Sequence, residues 1–342
     1  MSRTSSARSS SPARPARPAR PTRPARPARP AAVLAALACC AALTATACSS
    51  SSGDGGKPSG GTHSVDTAMG KVTVPDHPKR VVVLDTAELD SAITLGVKPV
   101  GATGAGTSSG FLDYLPKDEV AGIANVGAIA SPNLEAVAAL HPDLILSSKV
   151  RDGAHYDALR KIAPTVLTES TGAPWKANFQ LHAAALGRTA QAAAVVRAYD
   201  KHVAQVTAAL GGSTKAAATR VSMVRFVEGA DIRLYGNASY IGTVLKDVGL
   251  GRPAAQNVGR LSVDVSPEQI DKADGDDLFY ATYGDPKAAK ETEVTAGPLW
   301  KQLAAVGAGR AHRVDDELWY QGIGYTAAAK VLDELQQDLT KG

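Results

Sequence analysis

The side chains best suited to chemistry in this 342-residue chain are arginines and aromatics, not nucleophiles. Arg225 interrupts the otherwise apolar run VSMVRFV. An arginine in a buried strand is costly unless it is paired or faces a ligand. In the next run, IRLYG, strand alternation puts Arg233 and Tyr235 on one face. Trp319 and Tyr320 stand beside Gly322 and Gly324. In an open α/β sheet the ligand crevice lies at the carboxyl ends of the strands. That rule adds Arg151 after the run Leu144 to Ser148, Tyr283 after Asp277 to Ala281, and Glu88 at the helix start after the first strand. Guanidinium forks donate paired hydrogen bonds to anionic oxygens, and aromatic faces attract delocalised charge. Together they suit a bulky chelate carrying carboxylates or delocalised charge. A sugar would call for more Asp and Asn. A nearby carboxylate would account equally for Arg225 or Arg233, and core packing for one of Trp319 and Tyr320.

Enzymatic constellations are missing. No G-x-S-x-G elbow, H-E-x-x-H helix or Walker lysine loop occurs. The glycine-rich stretch Gly101 to Gly110 lacks dinucleotide-binding spacing and reads as a loop. The seven histidines are scattered, with no i, i+4 pair, so a bare transition metal has no evident ligand set. Asp315-Asp316-Glu317 reads as a solvated turn. The expectation is a binding protein with no catalytic residues, no cofactor and no metal held by protein ligands.

These residues need a scaffold, and the chain alternates strand-like and helical runs in the manner of a parallel α/β fold. Arg80 to Leu84 (RVVVL) is a buried strand, and Asp85 with Glu88 opens a helix that Gly96 and Pro99 close. Ser131-Pro132 and, in the second half, Ser266-Pro267-Glu268-Gln269 read as helix starts, the latter with capping-box spacing. Between the halves Ala190 to Leu210 contains no Gly or Pro. As one helix it is a rod of roughly 30 Å, able to brace two α/β lobes. An ordinary helix packed on one sheet is the alternative.

The start of the chain is of another kind. Six Ala/Thr-Arg-Pro repeats precede the apolar segment Ala31 to Ala47, and Cys48 then opens a Ser/Gly-rich stretch. That order is how an export signal looks. The expected division is a signal peptide over 1–47, a lipidated Cys48 with a flexible linker over 48–64, an N-terminal α/β lobe over 65–187, an interdomain helix over 188–212 and a C-terminal α/β lobe over 213–342. Cys39 and Cys40 are rival cleavage points. Eight arginines lie in residues 1–30, so the chain from Cys48 on carries 37 − 8 = 29 basic against 33 acidic residues, a net charge of −4. A mildly acidic mature protein argues against nucleic acid as a partner. All three cysteines lie at or before Cys48, leaving the folded part without a disulfide or thiolate chemistry.

Several segments resemble the iron-siderophore (ferric hydroxamate/citrate type) substrate-binding lipoproteins of ABC importers. They are PKRVVVLDTAELDSAITLGVKPVG, NVGAIASPNLEAVAALHPDLIL, YDALRKIAPTV, VRFVEGADIRLYG, VLKDVGLGRPAAQ and VSPEQIDKADGDDLF, spread over nearly the whole chain after the linker. The resemblance implies two Rossmann-like lobes joined by one long helix. It also implies capture of a ferric siderophore between the lobes and its delivery to an ABC transporter permease. In this family a glutamate on each lobe docks to the permease, and Glu135 and Glu268 occupy the matching positions. Relatives contact the siderophore from the strand holding Arg225, from the Arg233/Tyr235 segment and from near Trp319. A monomer, tethered by lipid to the extracellular face of the cell membrane, is expected. Cobalamin and haem binders share the fold and stay open as alternatives, and an envelope enzyme is a further one.

Overall fold

The computed structural model describes residues 60–105 and 110–341; the expected export segment and Cys48 lie outside them. The first ordered element is an antiparallel hairpin of β1 (Thr62–Thr67) and β2 (Gly70–Pro75), so regular structure begins slightly before Val65.

Two sheets follow. The first contains β3 (Val81–Val83), β4 (Gly101–Gly104), β5 (Ala124–Ala128), β6 (Ser131–Pro132), β7 (Leu144–Ser148) and β8 (Thr165–Thr168), in the order β6-β5-β4-β3-β7-β8. All its pairings are parallel except β5 with β6. The second contains β9 (Val221–Val227), β10 (Ile232–Tyr235), β11 (Ser262–Val265), β12 (Asp277–Tyr283) and β13 (Ala311–Arg313), in the order β11-β10-β9-β12-β13. Here β9, β12 and β13 are parallel, and β10 and β11 add antiparallel strands at one edge.

The helix Thr189–Ala209 runs between the sheets for 21 residues and stops at Gly211 and Gly212, both in the left-handed region. It joins two sheet-bearing lobes, and apolar packing is continuous across the join. One apolar core includes Val81, Val83, Leu144 and Leu146 of the first sheet, and Val221, Met223, Phe279 and Ala281 of the second. It also takes in Ala192, Tyr199 and Val206 of the long helix, and Val331, Leu332 and Leu335 of the helix Tyr325–Leu339. Each sheet has a second apolar face with its own cluster, as expected for strands buried on both sides. At the crossing, Trp175 packs edge-on against Tyr199, Tyr240 and Tyr325 with ring centroids 5.6, 5.3 and 4.6 Å away.

Asp90 fixes the C-terminal helix onto the first sheet's opening helix, Thr86–Thr94. Its fully buried carboxylate accepts from the backbone of Thr326 and Ala327 at 3.2 and 3.0 Å, from Tyr114 Oη at 2.9 Å and from Thr94 Oγ1 at 3.1 Å. The helix Tyr325–Leu339 has no cap of its own, so a residue more than two hundred positions earlier supplies one. Gly324 is required at the junction, because a Cβ there would lie 2.0 Å from Asp90 Oδ1.

Local details depart from the sequence reading. Ser131-Pro132 forms β6 rather than a helix start, and Asn133 caps the helix Leu134–Ala139 by accepting from Ala136 N. After Ser266 the chain forms a 3-10 helix, Pro267–Ala273, without a side-chain cap at its N-terminus. Gly101–Gly104, expected in a loop, is the strand β4. A Cβ at Gly101 would press on the ends of the Leu140 and Val126 side chains, so a larger residue there would require them to shift.

Removing the Asp90 carboxylate leaves two helix N–H groups and a tyrosine hydroxyl without a buried partner. Asp90→Ala is therefore expected to lower the unfolding free energy by about 3–5 kcal/mol. Asp90→Asn, which keeps one acceptor oxygen, should lose less. Urea denaturation followed by circular dichroism reads both.

Candidate functional site

Each sheet has one place where successive strands depart in opposite directions, and a crevice opens there at the carboxyl ends. In the first sheet it lies between β3 and β7. Asp85, just past β3, is the N-cap of Thr86–Thr94 and accepts from Thr86 N at 2.8 Å. Arg151, in the helical turn Lys149–Asp152 after β7, donates from Nε to Asp85 Oδ2 at 2.9 Å. The carboxylate side chain is 1% exposed and the arginine 37%. Only Nε of Arg151 is engaged, so its two terminal nitrogens are free to meet a ligand. Burial, reinforced by the negative charge of Glu88, pushes the Asp85 carboxyl up to about 6 against the opposing pull of Arg151.

The crevice of the second sheet lies between β9 and β12. Arg225 on β9 grips Asp316 with two parallel bonds, Nε to Oδ1 and Nη2 to Oδ2, both 2.6 Å. Nη1 donates to Tyr235 Oη at 3.2 Å. The guanidinium lies 4.9 Å from the ring centre of Tyr283 and 5.5 Å from that of Tyr320. Burial opposes its charge, yet Asp316 and Tyr235 hold its pKa above the ordinary arginine range. Tyr320 belongs to a single π-helical turn, Glu317–Gln321, a distortion common at functional sites. Its hydroxyl donates to Val224 O at 2.9 Å. Gln321 Nε2 donates to Asp316 Oδ2 at 2.8 Å, and Thr86 Oγ1 donates across the gap to Gln321 O at 3.0 Å.

The two crevices face each other. A cavity of about 370 Å³ is lined by Asp85, Thr86, Ile129 and Arg151 from one side and by Arg225, Tyr283, Tyr320 and Ile323 from the other. An adjoining one of about 310 Å³ shares Arg151, Arg225 and Tyr320 and extends to Val150, Tyr235 and Leu261. A third, of about 460 Å³, shares Tyr283 and Gln321 and is rimmed by Arg313, Asp315, Asp316 and Glu317.

Six residues singled out from sequence thus line one cleft: Arg151, Arg225, Tyr235, Tyr283, Trp319 and Tyr320. Tyr283 is the last residue of β12 rather than one beyond it. Arg233 stands opposite Arg225 in the β9–β10 ladder and opposite Asp264 in the β10–β11 ladder, half-buried and outside these cavities. One expectation is corrected. Glu88 does not reach the cleft; it is wholly buried, its carboxylate 3.3 Å from the equally buried His182 Nε2. Trp319 is fully buried, stacking on Phe279 at 4.9 Å and donating from Nε1 to Glu334 at 2.5 Å, and it forms part of the wall of the 310 Å³ cavity. Glu135 and Glu268 are both exposed, each in the first turn of a helical segment. Sequence reasoning missed Asp316, taken as part of a solvated turn, and treated Asp85 only as a cap. The lone arginine in β9 was the available clue that a carboxylate must approach it. Among the described residues no cluster of His, Cys, Asp and Glu could hold a metal ion, and no helix is long and apolar enough to cross a membrane.

Two parallel-rich sheets with an arginine- and tyrosine-lined cleft between them, braced by one long helix, define a two-lobed solute-binding protein. The chain belongs to the periplasmic binding protein family, whose model matches residues 81–318. It is 39% identical over 289 residues to the Bacillus subtilis (strain 168) protein YfiY, named a probable siderophore-binding lipoprotein; the match covers 80% of this chain and 87% of the relative. It is 31% identical to YfmC, the Fe(3+)-citrate-binding protein of the same organism, over 83% of this chain and 90% of that one. Among solved structures, Staphylococcus aureus SirA complexed with staphyloferrin B superposes with a TM-score of 0.74. That match has 33% identity and covers 81% of this chain and 98% of SirA.

The raised Asp85 pKa carries a sign. The folded state binds that proton more tightly than the unfolded chain, so the stability it contributes is full below the ordinary carboxylate value of 3.8 and is lost as pH rises through about 6. Asp85→Asn keeps a good N-cap without the buried charge. The melting temperature of the variant relative to wild type should therefore climb between pH 4.5 and pH 7.5, by a few degrees. A difference independent of pH would contradict this assignment.

Proposed function

We propose that this protein is the extracellular receptor of an iron importer. It takes a ferric siderophore into the cleft between the two sheets and passes it to an ABC permease, without changing it chemically. The observation that carries the reading is the pairing of a half-free arginine, Arg151, with the Arg225–Tyr283–Tyr320 stack across one cavity. The names of YfiY and YfmC, with their identities to this chain, support it. Charged forks hold the oxygen periphery of a chelate, ring faces hold its flat or greasy portions, and no protein atom needs to touch the iron. Lipid anchoring through Cys48 and action as a monomer are part of the same proposal.

Docking is assigned to Glu135 and Glu268. Both are exposed, and Glu268 is held below the ordinary carboxylate range by the Ser266 hydroxyl, so it stays charged well into acid. The shared apolar core supports a cleft that is largely formed before the ligand arrives.

Titrating protein starting after Thr62 with ferric siderophores, haem and cobalamin, read by tryptophan quenching, tests the ligand class. Ferric chelates should bind and the other two should not. Arg151→Ala should weaken chelate binding about tenfold, the loss of one charge-assisted contact of roughly 1.5 kcal/mol. Tight haem or cobalamin binding with no chelate binding would move the protein to the alternative class. In cells, the double variant Glu135→Ala/Glu268→Ala should keep its chelate affinity and lose iron uptake; normal uptake would remove both residues from docking.

A further inference from the structure

Behind the cleft wall lies a cation that no acid neutralises. The helix Tyr240–Val248 ends at Gly249 in the left-handed region, and the chain turns through Gly251 into Arg252 and Pro253. Gly251 is held close to its neighbours: its amide donates to Ala216 O, its carbonyl accepts from Val221 N at 2.9 Å, and a Cβ there would lie 2.6 Å from Ala217 O. Arg252 is thereby set against the ends of β9 and β10. Its Nη2 donates to Tyr235 O at 2.5 Å and to Gln256 Oε1 at 2.7 Å, while Nε and Nη1 are buried without an acceptor among the described residues. Gln256 is itself fully buried and clamped: Oε1 also accepts from Met223 N at 2.8 Å, and Nε2 donates to Ser222 Oγ at 2.6 Å. Both acceptors of Arg252 are thus neutral, and no described carboxylate pairs with it. A glutamate at 256 would fill the same space and pair the guanidinium; the chain carries the amide instead.

A buried charge without a partner is costly to keep. Burial presses the Arg252 pKa down to about 10 against the opposing pull of nearby Tyr320, and the side chain stays cationic at neutral pH. Tyr320 connects it to the cleft. That ring lines both inner cavities, and Tyr235, whose carbonyl Arg252 holds, lines one of them. The cations that line those cavities themselves are matched, Arg151 by Asp85 and Arg225 by Asp316. At the outer cavity Asp315 is exposed and Glu317 half-buried. Water weakens the field of such rim charges, whereas the charge of Arg252 acts through the protein interior and is screened little.

We infer, resting on the siderophore-binding role proposed above, that Arg252 is a specificity-determining residue. From behind the wall formed by Tyr320 and Tyr235, its uncompensated charge raises the affinity for a ferric chelate in proportion to the negative charge the chelate carries, without touching it.

The test titrates ferric citrate and ferric enterobactin, both anionic, and ferrioxamine E, which is neutral, by tryptophan quenching at fixed ionic strength. Wild type should bind an anionic chelate more tightly than ferrioxamine E. Gln256→Glu preserves both acceptors of Arg252 and supplies the missing counter-charge. It should weaken binding of the anionic chelates by about tenfold and of ferrioxamine E by less than about threefold. Arg252→Gln should do the same, and Arg252→Lys, which keeps the charge, should stay within about threefold of wild type. A guanidinium that only ties down the end of β10 would leave Gln256→Glu silent, and Arg252→Gln would then weaken all chelates alike and lower the melting temperature. A silent Gln256→Glu, losses equal for anionic and neutral chelates, or tightest binding of ferrioxamine E by wild type would each overturn the inference and leave the siderophore reading standing. Failure of all three chelates to bind wild type would overturn that reading itself.

Discussion

The architecture depends on a buried carboxylate. Asp90 sits in the first helix of the first sheet and satisfies the opening N–H groups of the helix Tyr325–Leu339, which packs against the long helix and carries part of the common core. Burial works against its charge, and the four donors that surround it work in favour. Hydrogen bonds are directional, so this carboxylate fixes how the start of the helix Tyr325–Leu339 sits on the helix Thr86–Thr94. The ring cluster at Trp175 and the bonds of Tyr199 and Lys176 to Asp247 then lock the same junction from its other side.

Given that junction, the cleft follows from sheet topology. Both sheets place a charged side chain just beyond or near the end of a central strand, and the junction turns those ends toward each other. Each arginine is oriented by an acid from its own half: Arg151 by the cap residue Asp85, Arg225 by Asp316. The acids position the forks and at the same time cancel their field, so these two pairs bring ordered hydrogen-bond donors with little net charge of their own.

Much of this was readable from residues. The strand runs, the Asp85 helix start and the uninterrupted helical stretch needed only periodicity and punctuation, and the carboxyl-end rule found Arg151 and Tyr283. What escaped depended on contacts distant in sequence. Glu88 lies one turn beyond a correct helix start, yet helical geometry points it inward to His182. Trp319 and Tyr320 are neighbours, but the π-helical turn lays the first ring on Phe279 and sets the second against the Arg225 guanidinium. Asp316 lies 91 residues after the arginine it holds, and no local pattern marks such a pair.

The separation between Asp90 and its partners has a consequence for synthesis. The ribosome makes this carboxylate 236 and 237 residues ahead of the amides it will cap. Until then the chain carries a half-built interior whose ring and aliphatic surfaces have no cover. Contacts so distant in sequence slow folding, because the entropy of closing the chain is spent before the contact repays it.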